Sequence, residues 1–353
     1  MDQSITEQRI QAKNHHHENG YSFRNVWSTW RDIPAWEFTR YYFGSGPSIQ
    51  ALTSEASLAK INIDQQLPIV HPECHVYPQN PGDIQVTWCG HSSFLLRING
   101  PTPLTVLTDP VFGDRASPLS FAGPKRYRSV PIKIGQITPK VDVVVLSHDH
   151  YDHLCRQTIG ELEQFHQPVY YVPLGFNHLE RFGVPTERVV KLDWYTEATH
   201  DGYKFIFVPA QHHSGRRFID AMQSLWGGWI IQFPVEHQEV TVNRKIYFAG
   251  DTAYCTVFKD IGQRYGPIDL GIIPIGAYGA PEYREFLKVQ HVDVPEAVKI
   301  FHDTQCQKAI GCHWGTFALT NEPLLQPRDL LREEAARQQI DFTTMNHGQT
   351  LIV

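Results

Sequence analysis

From residue 83 onward the chain repeats one rhythm: a short apolar run, a polar loop, then a stretch with helical spacing of its apolar positions. IQVTW (84–88), SFLLRI (93–98) and LTVLT (104–108) read as strands, with Asn99 and Gly100 turning the chain between the last two. VDVVVLS (141–147) is a continuous apolar run, as a strand buried on both faces requires. Further strands are expected at 169–172, 203–210, 226–233, 245–250, 270–276 and 307–312. Helices are expected at 156–165, 174–182, 256–265, 295–304 and 327–338. This succession predicts an α/β layered architecture over 83–353, with polar motifs just past the carboxyl ends of strands, where such sheets hold their sites.

The N-terminal part follows another pattern. Residues 1–20 are polar and read as a disordered tail, with the run His15, His16 and His17 a solvated feature. Residues 21–82 read as an aromatic-rich extension. Tyr21, Phe23, Trp27, Trp30, Trp36, Phe38, Tyr41 and Tyr42 alternate there with Arg24, Arg31 and Arg40. That mixture suits packing on the body of the protein and contact with a membrane interface alike. A short helix is expected near SEASLAK, followed by a proline-rich loop.

Composition narrows the function classes. The net charge of -6 comes without a broad basic field, so nucleic acid is not an expected partner. No apolar run reaches the roughly 18 residues that span a bilayer, so membrane contact should be peripheral. The opening stretch lacks the apolar core of a signal peptide, which points to a cytoplasmic protein with reduced cysteines.

The chemistry concentrates in LSHDHYDHL (146–154), where His148, His150 and His153 stand among Asp149 and Asp152. Side by side these groups would repel or stay unpaired without a cation. Imidazole nitrogen and carboxylate oxygen suit zinc, and also iron or manganese. One metal takes about four ligands, so a second needs donors from elsewhere. His212, Asp251 and His313 each follow an expected strand, and the two oxygens of Asp251 suit a bridge. The adjacent pair His212 and His213 leaves open which ring points inward.

With GHSSFLL (90–96), LTDPVFGDRASP (107–118), FAGDTAYC (248–255) and this cluster, the chain resembles the metallo-β-lactamase superfamily. GPKRYR (123–128), DLGIIPIGAY (269–278), QHVD (290–293) and HWGTFAL (313–319) are narrower. They make it similar to the N-acylphosphatidylethanolamine-hydrolysing phospholipase D family over roughly residues 21–350. The resemblance implies a four-layer αββα sandwich with two zinc ions at one edge between its sheets. By motif, one ion falls to His148, His150 and His212 and the other to Asp152, His153 and His313, with Asp251 bridging. Iron or manganese at one position stays open. Asp109 matches an outer aspartate that orients a ligand histidine, and His91 lies near the site in a structural or catalytic role.

For the reaction, Asp152 or Asp251 is the candidate base or orienter of water, and His291 the candidate proton donor or phosphate contact. His302 is a weaker candidate inside an apparent helix, and Lys125, Arg126 and Tyr127 are candidates to meet a lipid phosphate at the entrance. The family's products are phosphatidic acid and an N-acylethanolamine, and its members are membrane-associated homodimers. A related hydrolase acting on a lactone, a cyclic phosphodiester or a small phosphorylated metabolite is the alternative, because the same cations polarise a carbonyl. A binding protein that has lost turnover is disfavoured by the full ligand set, and a nuclease by the net charge.

Overall fold

The computed structural model describes residues 15–17, 19–34, 37, 49–72, 77–216, 220–237 and 240–353. Two seven-stranded sheets lie face to face. The first contains β1 (Ile84–Gly90), β2 (Ser93–Asn99), β3 (Pro103–Thr108), β4 (Val143–Val145), β5 (Val169–Pro173) and β6 (Val189–Leu192) in that spatial order. The second runs from β7 (Glu197–His200) through β8 (Tyr203–Val208), β9 (Gly228–His237), β10 (Val240–Phe248), β11 (Ile268–Pro274) and β12 (Cys306–Cys312) to β13 (Phe342–Thr343). The last strand, β14 (Thr350–Ile352), returns to the first sheet beside β1.

Side-chain alternation explains why the central strands are apolar throughout. In β4, Val143 and Val145 face the core between the sheets, while Val144 faces a second core under α1 (Arg156–Phe165). Across the middle layer Tyr171 stacks on Phe205 with ring centroids 4.4 Å apart. Trp229 Nε1 of the second sheet donates to the carbonyl of Leu146 in the first, at 2.9 Å. On the outer face of the second sheet lie α2 (Val257–Tyr265), α3 (Val294–Asp303) and α4 (Gln326–Gln338). Helix α3 buries Val294, Ala297, Val298 and Phe301, a stripe at helical spacing. It starts at a capping box in which Asp293 and Glu296 satisfy each other's backbone N–H groups. The aspartate of QHVD is therefore a helix cap. The result is the expected αββα sandwich.

The strands that the sequence reading missed share one cause. They are β6, β7, β13 and β14, and all four lie at sheet edges. An edge strand is half solvated, so EATH or TLI shows no continuous apolar run. The helix expected over 174–182 shrinks to one turn, His178–Arg181. Gly175 sits at φ +80°, outside the right-handed helical region, so a helix cannot run through that position.

The histidine run is not simply solvated. His15 is buried and stacks on Trp194 at 4.2 Å. His15 Nε2 and His16 Nε2 each bond one oxygen of Asp193, at 2.7 and 2.8 Å. Phe23 is buried in the same region, whereas Tyr21 is 83% exposed. Trp36, Phe38, Arg40, Tyr41 and Tyr42 lie outside the described residues.

Candidate metal centre

The site lies where one end of both sheets meets, and its expected metal-holding residues all follow strand ends. His91 occupies the tight turn between β1 and β2, Asp109 follows β3, and the histidine-rich loop follows β4. His212 comes after β8, Asp251 after β10 and His313 after β12. Several of these positions have backbones in the left-handed region: His91 at φ 54°, Asp109 at 31° and His313 at 60°. Such strain persists only where the surroundings over-determine it, and it clusters at functional sites. Gly250, before Asp251, is at φ +62°, and a Cβ there would meet Ser147 Cβ at 2.5 Å. Only glycine lets the Asp251 loop close on the histidine loop.

Two groups of donors result. His148 Nε2 lies 2.8 Å from His150 Nδ1, and His212 Nε2 lies 3.3 Å from the same atom. On the other side, His313 Nε2 is 3.3 Å and His153 Nε2 3.4 Å from Asp152 Oδ2. Asp251 stands between the groups. Its Oδ2 is 2.9 Å from His313 and 3.1 Å from His153, and also 3.8 Å from His212 and 3.9 Å from His148.

Outer hydrogen bonds set the tautomers. His153 Nδ1 donates to Asp109 Oδ2 at 2.6 Å, and Asp109 also accepts from the backbone N–H of Ser147 at 2.7 Å. The Ser147 hydroxyl donates to Asp109, which leaves its oxygen to accept from His148 Nδ1 at 2.9 Å. His212 Nδ1 donates to the carbonyl of Gln290 at 2.9 Å. Each ring thus spends its N–H outward and turns a lone pair inward, the usual support of a metal-ligating histidine. His153 Nε2 and Asp251 Oδ1 are buried and find no hydrogen-bond partner among the described residues. These donors fit a cation and fit each other poorly without one.

The electrostatics agree. Burial, reinforced by neighbouring imidazoles, holds His148 and His212 well below the ordinary histidine range. Burial also lowers His150, against the pull of Asp152. For His313 burial opposes protonation, but Asp251 and Asp152 together outweigh it and lift the group to about 9. His153 is raised in the same way by Asp251 and Asp152. Burial disfavours both carboxylates as anions, yet the adjacent imidazoles hold Asp152 and Asp251 well below the usual range. The carboxylate side of the site therefore calls for positive charge. The clustered histidines and aspartates are compatible with a dinuclear metal site.

Other expected residues fall in mixed places. His91 Nε2 bonds Asp152 Oδ2 at 3.0 Å and is fully enclosed, with its ring 4.2 Å from that of His313. His291 faces the centre, its Nδ1 3.9 Å from Asp251 Oδ2 and its ring beside those of His212 and His313. Arg126 does not await a lipid phosphate: it is buried, donates to the carbonyls of Gly113 and Val111, and covers the Phe317 ring at 5.0 Å. Tyr127 lines a small cavity with His313 and Trp314, while Lys125 is exposed. His302 is exposed near the far end of α3 and bonds Gln338 at 2.7 Å. Eight residues separate it from Val294, about 12 Å along the helix, so it takes no part in the centre.

The sequence reading gave two residues no settled task, Asp149 in the histidine motif and His213 beside His212. Asp149 bonds His178 at 3.0 Å and the N–H of Gly215 at 2.7 Å, tying the histidine loop to the loop after His212. His213 also turns toward the centre, its ring centroid 4.6 Å from that of His150. A visible signal was the extra aspartate inside the histidine motif, which the ligand set left without a task.

Residues 105–314 match the family model described as the beta-lactamase superfamily domain. The chain belongs to the metallo-β-lactamase superfamily. It is a metal-dependent hydrolase of that superfamily. It is similar to N-acyl-phosphatidylethanolamine-hydrolyzing phospholipase D 1 of Caenorhabditis elegans, with 36% identity over 81% of this chain and 80% of the relative. The N-acyl-phosphatidylethanolamine-hydrolyzing phospholipase D of Saccharomyces cerevisiae is 32% identical over 69% of this chain and 50% of its own length. Among solved structures, the metallo hydrolase Igni18 of Ignicoccus hospitalis superimposes with a TM-score of 0.55 at 18% identity, covering 77% of this chain and 98% of that one. That last likeness concerns the fold alone.

Proposed function

We propose that this metallo-β-lactamase-fold hydrolase is a dinuclear zinc phosphodiesterase of the phospholipase D type. It would cleave N-acylphosphatidylethanolamine to an N-acylethanolamine and phosphatidic acid. The observation that carries the reading is the approach of four histidines, from loops of both sheets, to one oxygen of Asp251. The substrate rests on the named activity of the nematode relative, aligned over most of both chains. We assign His148, His150 and His212 to one cation, Asp152, His153 and His313 to the other, and Asp251 to both. Five imidazoles with two carboxylates suit zinc best, and iron or manganese are its competitors at one position. When bound, such a pair supplies an activated water and charge compensation at a phosphoryl oxygen.

The chain's own residues do the rest. Asp152, steadied by His91, is placed to orient the attacking water and accept its proton. Asp251 holds the two halves of the site at one spacing. Burial keeps His291 neutral, down to about 3, so we assign it an N–H contact to the phosphoryl oxygen or leaving group. Among the described residues no helix is long and apolar enough to cross a membrane. We propose peripheral lipid contact, with exposed Tyr21, Leu119 and Phe121 as candidates, in a homodimer on the cytoplasmic side.

The test is to incubate the purified protein with total membrane lipid and identify the products by mass spectrometry. Release of N-acylethanolamine together with phosphatidic acid is expected. Unchanged lipid alongside turnover of a lactone, a cyclic phosphodiester or a small phosphorylated metabolite would overturn the assignment.

A further inference from the structure

Residues 15–17 and 19–31 cross the site loops of the second sheet like a strap. One end is clasped where His15 and His16 share Asp193, and the other where Arg31 donates to the carbonyl of Glu285 at 3.2 Å. Between them the strap bonds three consecutive residues of the loop that carries His212. Trp27 Nε1 donates to the carbonyl of Ala210 at 3.1 Å, the Thr29 hydroxyl donates to the side-chain oxygen of Gln211, and Asn25 Nδ2 donates to the carbonyl of His212 at 2.6 Å.

The loop needs such support. Strand β8 ends at Val208, so residues 210–212 have left the ladder before the ligand is reached. Gln211 relays the strap's hold further. Its Nε2 donates to the carbonyl of Val289 at 3.0 Å, and its own carbonyl accepts from the N–H of Ala253 at 2.8 Å. Val289 precedes Gln290, whose carbonyl sets the His212 tautomer, and Ala253 lies two residues past Asp251. The Ala210 carbonyl also accepts from Trp226 Nε1 at 3.1 Å, so Trp27 is duplicated there. Asn25 and Thr29 are the distinctive contacts.

We infer that the strap is a positioning element of the metal centre, with Asn25 and Thr29 holding the loop that presents His212. Releasing them loosens the cation at His148, His150 and His212 and spares its neighbour. The inference rests on the dinuclear reading above and extends it to residues that touch no metal. Its scale follows from outer groups that orient ligands, whose loss costs roughly tenfold or more in metal affinity.

The experiment uses the full chain loaded with zinc and titrated with a chelator, counting the ions released. Parent, Asn25→Leu, Asn25→Leu with Thr29→Val, and His212→Ala are compared. In the strap variants one ion should leave at roughly tenfold lower chelator concentration. The other should be held as tightly as the ion that His212→Ala retains. If the double variant does not fold, Asn25→Leu alone carries the comparison. Release of both ions at the parent's chelator concentration would overturn the strap's role. Equal loosening of both, with a matching fall in the melting temperature of the loaded protein, would also overturn it and make the strap a general brace. A parent that binds fewer than two zinc ions would sink the dinuclear reading first, and the inference with it.

Discussion

The two sheets build their halves of the metal centre in opposite ways. The first sheet contributes His148, His150, Asp152 and His153 from a single loop after β4. Its main outer support, Asp109, comes from the end of the neighbouring strand and reaches Ser147 and His153 together. The second sheet contributes His212, Asp251 and His313 from the ends of three different strands. Two of them are held by distant chain: His212 by Asn25 and Gln290, and His313 through its backbone N–H to the carbonyl of His91 at 3.2 Å. One half is a local motif on a rigid base. The other exists only when the sheets are stacked, and Asp251 is where the two become one site.

Breaking the comparison at its centre should have the largest effect. Asp251→Ala removes the group that stands between the two sets of donors, so both zinc ions should be depleted by elemental analysis and phosphodiester hydrolysis reduced by at least about 10³-fold. A protein that kept both ions would mean that the halves are independent. Next come His150→Ala and His212→Ala, one from each half. Each should cost one ion and most of the activity to a similar extent, and a fully active His150→Ala protein would count against the whole catalytic account. Asp109→Asn sharpens the contrast further. It keeps the shape but weakens the acceptor of the His153 proton, and zinc affinity at the carboxylate side should fall by roughly 10- to 100-fold, read by chelator competition. The smallest effect belongs to His302→Ala, which should leave both zinc content and kcat unchanged because it is exposed and bonds Gln338 on the outer surface. A clear loss of kcat there would restore it to the site.

Legibility followed the same division. The central strands were readable because burial on both faces demands continuous apolar runs, as in VDVVV, whereas β6, β7, β13 and β14 were invisible at the edges. The histidine loop was readable because its donors crowd within six positions. Arg126 misled because a basic loop looks solvated on paper, while its guanidinium is in fact committed to two carbonyls under the Phe317 ring. His15 misled for the converse reason: a polar run looked free, yet one imidazole stacks on Trp194 and bonds Asp193. The adjacent pair His212 and His213 stayed ambiguous because the groups that distinguish their rings, the Gln290 carbonyl, His150 and Asp251, all lie far along the chain.

By itself, the sequence determined the layered α/β class, the central strands and the chemical type of the site, since these follow from short-range patterns of apolar and metal-binding side chains. Only the tertiary structure decided which lone pairs converge, which arginine is occupied and what holds His212 in place. Those outcomes depend on hydrogen bonds between residues that no local sequence pattern links, and they form only once the chain has folded on its core.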